Sequence, residues 1–402
     1  MMAALWNIGA LVLSALPAIA RIAWDLRWHK ALRQFALSSI REPHAEGEAP
    51  ATRSVTLIVC THNDLAALSS MWEAWRGQRF PQGWTAEWLV VDDGSTDGTA
   101  AWLQAQPAAP ELTLLFHKKS APGKKQALEA GIRAARHDSL VLTDADCTPA
   151  PQWAWSLASA LAHADKGTDE ERAHATPKWD VVLGTCLPDG GPTLLAFDAL
   201  RVAFQYNGEA IIGEPYMGVG RSIAYRRSTW EACGGFDGHS DLTSGDDDLF
   251  VQDALCAGFN VGLAPCPTAA TQVQSQPAPN ARDGWNRKRR HLSTSGRYSR
   301  RSSVRLGLDA ALDFTVVFAA LYAPFGLLHR HVWIPAVLMA LAGTVRAFTL
   351  SSFSRWWGDG ALPMWRCMLW GPIRWTLLAL ATVQNAFTSS PTWTQRAPIR
   401  RS

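Results

Sequence analysis

Excess charge of either sign is scarce: 38 Lys and Arg stand against 35 Asp and Glu, a formal net of +3 over 402 residues. A nucleic-acid partner calls for a concentrated basic balance, so no such partner is implied. Cysteine is sparse as well. The seven present (Cys60, Cys147, Cys186, Cys233, Cys256, Cys266 and Cys367) show no metal-ligand spacing. They read as reduced, cytoplasmic thiols and exclude both a zinc module and a disulfide scaffold. No internal repeat and no long low-complexity stretch appears, which excludes solenoid and fibrous classes.

What the chain has in quantity is indole. Apolar residues make up an ordinary 48%, but 20 of the residues are Trp. Half of these (Trp6, Trp24, Trp28, Trp333, Trp356, Trp357, Trp365, Trp370, Trp375 and Trp393) lie near long apolar stretches, and Trp collects at bilayer interfaces. Residues 3–20 form one such stretch, close to the ~20 residues a spanning helix needs. Arg21, Arg27, Lys30 and Arg33 follow it. A secretory signal carries its basic residues ahead of the apolar run, so this segment reads as an uncleaved anchor. Basic flanks face the cytoplasm. That puts the N-terminus outside and the main domain inside a bacterial-type inner or plasma membrane. Residues 310–328 and 332–350 read as a helical hairpin turned at His329-Arg330-His331. Residues 364–387 are interrupted by Arg366, Gly371-Pro372 and Arg374, which leaves spanning and interfacial placements open. The expected layout is multi-pass: an anchor over 1–24, a linker over 25–53, a catalytic domain over 54–280, a basic membrane-proximal segment over 281–307, transmembrane or interfacial helices over 308–390, and a basic tail over 391–402.

Two acidic clusters carry most information. Val91-Asp92-Asp93-Gly94-Ser95-Thr96-Asp97-Gly98-Thr99 and Thr143-Asp144-Ala145-Asp146-Cys147 each follow a short apolar run. Carboxylates at the carboxyl ends of adjacent buried strands face the crevice where open α/β sheets hold nucleotides. Residues 55–60 are a continuous β-branched apolar run, the pattern of a strand buried on both faces. After it the pattern predicts a helix over 64–79, a strand over 88–91, a short helix over 99–104, a strand over 112–116, a helix over 123–136 and a strand over 140–142. Such alternation implies right-handed βαβ crossovers and a mainly parallel sheet. Further on, Asp246, Asp247 and Asp248 stand side by side. Mutual repulsion should raise one of their pKa values, which suits a base that accepts a proton from a hydroxyl. An acidic helix N-terminus is the plainer alternative. Residues 282–305 hold nine Lys and Arg against the single acid Asp283, a composition suited to anionic lipid headgroups. Residues 164–176 read as an exposed loop.

Over residues 55–255 these motifs, in this order, resemble those of the inverting family 2 glycosyltransferases. The resemblance implies a GT-A fold, a Rossmann-like, mixed and mainly parallel α/β sheet, here with N- and C-terminal transmembrane helices. It places Asp93 near the base and ribose of a nucleotide-sugar donor, Asp144 against the donor, and Asp146 on a Mg or Mn ion. Lys124, within Pro122-Gly123-Lys124-Lys125-Gln126-Ala127-Leu128, is similar to the family's Gly-Lys-x-x-Ala-Leu helix start beside the donor. Residues 218–228 with Gly234-Gly235-Phe236 resemble the segment ahead of the catalytic carboxylates. Residues 244–250 resemble the Glu-Asp-x-x-Leu cluster that supplies the general base, with Asp246 favoured and Asp247 second. Residues 285–291 stand where processive relatives carry Gln-x-x-Arg-Trp. Arg287 replaces the Gln, Arg290 matches the Arg that contacts the diphosphate, and His291 replaces the Trp that stacks on the acceptor sugar.

The implied enzyme is a membrane-bound, metal-dependent hexosyltransferase. It moves a sugar from a nucleoside diphosphate, UDP foremost, to a lipid-linked or glycan acceptor beside the membrane lipids. Residues 197–212, which are amphipathic, would line the acceptor side. The chemistry agrees, since a hard cation held by one or two carboxylates plus phosphates neutralises a departing diphosphate. A calcium loop over 93–104 is disfavoured because Gln104 stands where a bidentate Glu is required. A processive polysaccharide synthase is the alternative within the class, weakened by His291. A nucleotidyltransferase would open with a Gly-rich, basic loop, and Cys60-Thr61-His62-Asn63-Asp64 stands there instead. A non-catalytic membrane scaffold is the remaining alternative.

Overall fold

The computed structural model describes residues 2–41, 53–161, 179–188, 193–264, 273–275, 280–328, 333–357 and 362–388. The expected exposed loop over 164–176, the hairpin turn 329–331, the basic tail 391–402 and the linker stretch 42–52 lie outside them.

The chain begins with helix α1 (Met2–Arg41) and then enters β1 (Arg53–Thr61), α2 (Leu65–Arg76), β2 (Trp84–Asp93), α3 (Thr99–Gln104), β3 (Leu112–His117), α4 (Lys125–Ala134), β4 (Ser139–Asp144) and β5 (Cys147–Pro149). There follow α5 (Trp153–Ala160), β6 (Val181–Leu183), β7 (Cys186–Pro188), α6 (Leu194–Ile211), β8 (Ile223–Arg226), α7 (Arg227–Ala232), α8 (Asp248–Cys256), β9 (Val261–Leu263) and β10 (Val273–Ser275). Four helices close the described chain: α9 (Ala281–Thr294), α10 (Arg300–Leu328), α11 (Trp333–Trp357) and α12 (Met364–Phe387).

Seven strands form one sheet in the order β3-β2-β1-β4-β8-β6-β9. The first four run parallel, while β8 is antiparallel to both β4 and β6. This is the mixed, mainly parallel α/β sheet with flanking helices expected of a GT-A domain. The apolar run of β1 is buried from Leu57 to Val59 with helices on both faces, which is why it does not alternate. Strands β2 and β3 lie on one side of β1 and β4 on the other, so the order reverses beside β1. Ligands bind at such a switch point, outside the carboxyl ends of the strands. Cys60 of β1 pairs in register with Val91 on one side and with Asp144 on the other. The two acidic clusters therefore end at one level, flanking β1. A small second sheet, β5-β10-β7, lies beyond β4.

The N-terminal helix departs from the expected layout. It continues without a break through residue 41, so residues 25–41 are helix where a linker was expected. Its second half is packed into the α/β domain: Trp28 is fully buried, edge-on to Phe204 of α6. A Cβ on Gly208 would sit 2.7 Å from the Trp28 ring, so only glycine lets the two helices approach this closely. Trp28 and Trp357 are thus core residues, not members of an interfacial belt, whereas Trp365 is 60% exposed. Arg21 is also buried. It binds Asp25 of its own helix and Asp309 and Asp313 of α10, while Arg346 of α11 reaches Asp25 and Asp313 and Arg201 of α6 reaches Asp309. Buried charges persist only when paired in this way. Among the described residues one stretch, Val337–Trp357, is long and apolar enough to cross a membrane, and over half of it is buried inside the protein. Side chains of residues 1–14 and 315–336 lie outside the described set, and these cover most of the expected spans 3–20 and 310–328.

Replacing Trp28 by Ala would leave a cavity between α1 and α6. The expected loss is about 3–5 kcal/mol, the range for burying no ring where an aromatic had been. Thermal unfolding of the full-length protein measures it; an unchanged melting temperature would show that α1 is not part of the folded unit.

Candidate active site

The carboxyl ends of β1, β2 and β4 open into a cavity of about 1040 Å³ that extends past α9 to α10 and α12. Asp93, Lys124, Asp144, Asp146, Asp246, Asp247, Arg290 and His291 all line it. Residues from five separated sequence segments therefore share one space.

Asp93 closes β2. Its Oδ1 lies 2.7 Å from His117 Nδ1, and Lys119 donates to its Oδ2. Lys119 also donates to the Gly123 carbonyl at 2.9 Å, tying the Asp93 side of the cavity to the loop before α4. Gly123 has φ of +90°, and a Cβ there would stand 2.8 Å from the Thr243 carbonyl oxygen. Glycine is required for this turn, and the turn delivers Lys124.

Lys124 is the centre of the site. Its ammonium donates to Asp144 at 2.7 Å and lies 2.9 Å from Asp246 Oδ2. Burial opposes its charge, but Asp144, Asp246 and Asp247 outweigh burial and hold its pKa well above the ordinary value. Burial likewise works against the Asp144 carboxylate, yet Lys124, Arg221 and Arg287 draw its pKa down. Asp146, two residues on, lies 3.9 Å from the Arg287 guanidinium and accepts a weak bond from the Cys147 thiol at 3.4 Å.

The aspartate triplet divides its work. Asp246 faces Lys124 in the cavity. Asp247 accepts from the Gly220 N–H at 2.6 Å and from the Asp248 N–H at 2.8 Å, capping α8. Asp248 accepts from Thr294 and Tyr298, fastening α9 and the chain after it to α8. Burial, together with repulsion from Asp246 and Asp248, pushes the Asp247 pKa up to about 7. The predicted rise within the triplet thus falls on Asp247, which also caps the helix, and on Asp248, which burial likewise pushes up.

On α9, Arg290 donates to Ser244 Oγ at 3.1 Å, two residues ahead of Asp246. His291 opens onto the cavity and is solvent-exposed; the protein groups around it, with Arg290, Arg221, Lys288 and Arg287, lower its imidazole pKa from the ordinary value. The basic segment itself is largely spent on the protein: Lys288 pairs with Asp198, Arg297 with Asp241, Arg301 with Glu214 and Arg305 with Glu209. At least four of its nine Lys and Arg are thus paired with carboxylates of the fold.

Sequence reasoning brought together every residue it named for the site, but it missed His117, Lys119 and Arg221. Lys118-Lys119 just past a strand was the available signal for one, Arg221 lay without a role inside the 218–228 segment, and nothing local marks His117. Arg287 was noticed only as a replaced Gln, not as a cation within 3.9 Å of Asp146.

With this geometry in view, the comparison that bears on it is a family model. Residues 56–169 match the model described as Glycosyl transferase family 2. That segment holds Asp93, Lys124, Asp144 and Asp146 and ends before the aspartate triplet. No curated protein matches the sequence. Among solved structures, "Mannosyltransferase PcManGT from Pyrobaculum calidifontis in complex with GDP-Man and Mn2+" is similar at 20% identity, covering 93% of this chain and 99% of that one with a TM-score of 0.48. That likeness is too low to carry an assignment.

As for a metal, no group of three or more His, Cys, Asp or Glu side chains is gathered among the described residues. An all-protein cage for a cation is therefore not built here. Asp144 and Asp146 at the strand end nevertheless fit a hard cation that takes its remaining ligands from phosphates and water, as Mg does.

The raised Asp247 pKa has a signed consequence. The folded protein keeps a proton that the unfolded chain releases above the ordinary value of 3.8. Asp247 therefore costs stability progressively as pH rises from about 4 to about 7. Asp247→Asn removes that dependence, so its melting temperature relative to wild type should climb by several degrees across this window and level off above it. Melting curves in chelator-containing buffers from pH 4 to 8 check this; a difference that stays constant with pH would refute it.

Proposed function

We propose that the protein is a membrane-associated, metal-dependent glycosyltransferase. It moves a sugar from a nucleoside diphosphate, UDP foremost, to a hydroxyl on a lipid-linked or membrane-proximal acceptor, with inversion at the anomeric carbon. The observation that carries the reading is Lys124. One ammonium joins the carboxylate at the end of β4, inside the family-matched segment, to Asp246, outside it, within a single cavity.

In this reading Asp93, held by His117 and Lys119, receives the base and ribose. Asp146, with Asp144 beside it, would hold Mg or Mn, which when bound neutralises charge on the diphosphate. Lys124, Arg287 and Arg290 add fixed positive charge on the same side, where guanidinium groups pair well with phosphate oxygens. Asp246 accepts the proton of the acceptor hydroxyl. The acceptor oxygen forms its bond to the anomeric carbon on one face, and the bond to the diphosphate breaks on the other, the diphosphate leaving with the electron pair. Asp247 is the second choice as base, because both its oxygens already accept backbone N–H groups. His291 offers a smaller face than indole for stacking a sugar, which supports addition of one or a few sugars rather than a long polymer. A processive synthase remains the second reading within the class. A scaffold or nucleotidyltransferase has less support, since neither requires Lys124 to bridge Asp144 and Asp246.

Asp146→Asn should abolish Mn-dependent donor binding while leaving the fold intact. Thermal-shift titration with a panel of nucleotide sugars, with and without Mn, reads this out; undiminished Mn dependence in the variant would remove Asp146 from the metal site. Asp246→Asn should retain donor binding and lose transfer by a factor of about 100 to 10,000, the usual contribution of a general base. Transfer at the wild-type rate would move the role to Asp247 or dismiss the triplet from catalysis.

A further inference from the structure

The cavity does not end at the donor residues. Beyond Arg290 and His291 it continues between α10 and α12, where its walls are Leu306, Gly307, Ala310, Trp375, Leu378 and Ala379. Trp375 bridges the two helices, its Nε1 donating to the Ala310 carbonyl at 3.4 Å and its ring packing on Phe314. This stretch presents carbon to its interior, unlike the sheet end.

The passage from one end to the other is basic. Arg287 stands by Asp146. One residue along, Lys288 shares a single carboxylate, Asp198, with Arg374 of α12. Arg374 is in turn adjacent to Trp375. Arg374 also lies 3.9 Å from Asp313, but the network these groups share holds five cations (Lys288, Arg374, Arg21, Arg201 and Arg346) against four acids (Asp198, Asp313, Asp309 and Asp25), which leaves net positive charge beside the apolar groove. The acids further in, Asp309 and Asp313, are already matched by Arg21, Arg201 and Arg346.

The end of the groove near the C-terminus of α12 is apolar too. Val383 lines the cavity and is 57% exposed, and Leu380 and Phe387 beside it on α12 are 55% and 85% exposed. A chain leaving the groove would meet exposed apolar surface rather than polar solvent-facing groups, the arrangement expected where a site opens toward lipid.

We infer that this groove binds the acceptor, and that the acceptor is an amphiphile. Its aliphatic tail lies between α10 and α12, and a phosphate or diphosphate linker sits against Lys288, Arg374 and Arg287, so that the group offering the hydroxyl is presented at Asp246. The inference rests on the glycosyltransferase reading for the word acceptor; the groove and its charge stand apart from it.

Gly307 supplies the test. A Cβ added there meets nothing within 4 Å, so a larger side chain can project into the groove without clashing with the backbone. Replacing a helical glycine by a residue with a side chain also favours the helix. Full-length protein in detergent is assayed for equilibrium binding of radiolabelled farnesyl phosphate, with farnesol and inorganic phosphate as competitors, and separately for binding of UDP and GDP with Mn. The wild type should bind farnesyl phosphate, and each competitor should be weaker than unlabelled farnesyl phosphate by at least about ten-fold, equivalent to ~1.4 kcal/mol. Gly307→Phe should weaken farnesyl phosphate binding by about ten-fold or more, with the loss confined to the amphiphile, and Ala379→Phe should do the same from the opposite wall. Leu308→Phe, one residue away and outside the groove, should bind as wild type. Equal affinity in wild type and both groove variants overturns the inference. So does full displacement by inorganic phosphate, which marks a simple anion site, or by farnesol, which marks an apolar cleft without a headgroup site. Failure of the wild type to bind either nucleotide strikes the glycosyltransferase reading instead, and the groove measurement then stands on its own.

Discussion

Three carboxylates cannot share a low-dielectric cavity unless something positive is fixed among them. Lys124 is that fixed charge. It is delivered by a glycine turn pressed against Thr243 and held between the end of β4 and the residue that opens the aspartate triplet. The rest of the site is arranged around it. Asp93 is tied through Lys119 to the same turn, and Asp247 and Asp248 are occupied in anchoring α8 and α9, which leaves Asp246 facing the cavity. An ammonium whose pKa is raised by its neighbours stays charged at any working pH, so it stabilises the arrangement of the carboxylates around it.

The parallel half of the sheet was legible because its strands are buried on both faces and its turns carry acids at the strand ends. Local pattern and tertiary role coincide there, as the β1 run and the clusters at Asp93 and Asp144 illustrate. The strand over 88–91 proved longer, starting at Trp84, because its first residues alternate and half-exposed positions dilute the signal. The site residues were legible where a motif joins a residue type to a fixed place on an element. His117, Lys119 and Arg221 were not, since each acts through a contact that only the folded chain creates. The basic stretch was legible in composition but not in purpose: a run of Arg looks the same whether it faces lipid or, as with Arg297, Arg301 and Arg305, acids on its own surface.

The same ambiguity explains the helices. Apolar runs at both ends of the chain suggest a membrane by composition alone, yet Trp28, Phe204, Phe353 and Trp357 pack on one another. A hydrophobic helix that buries its indoles against an enzyme domain and one that shows them to lipid can share a sequence pattern. What separates them is the matching small residue on the partner, here Gly208, which no periodicity reveals.

The buried charge cluster has a further meaning when the order of synthesis is considered. Arg21 emerges early, but its partner Asp309 lies 288 residues later in the chain. At typical translation speeds that interval is roughly 15–60 s. During it Arg21 has only Asp25 of its own helix as a counterion, and α6, against which Trp28 will pack, is itself still to come. The first helix is therefore obliged to wait, solvated or held by another factor, until the last third of the chain supplies the acids that neutralise it. In this protein the N-terminus is made first and finished last.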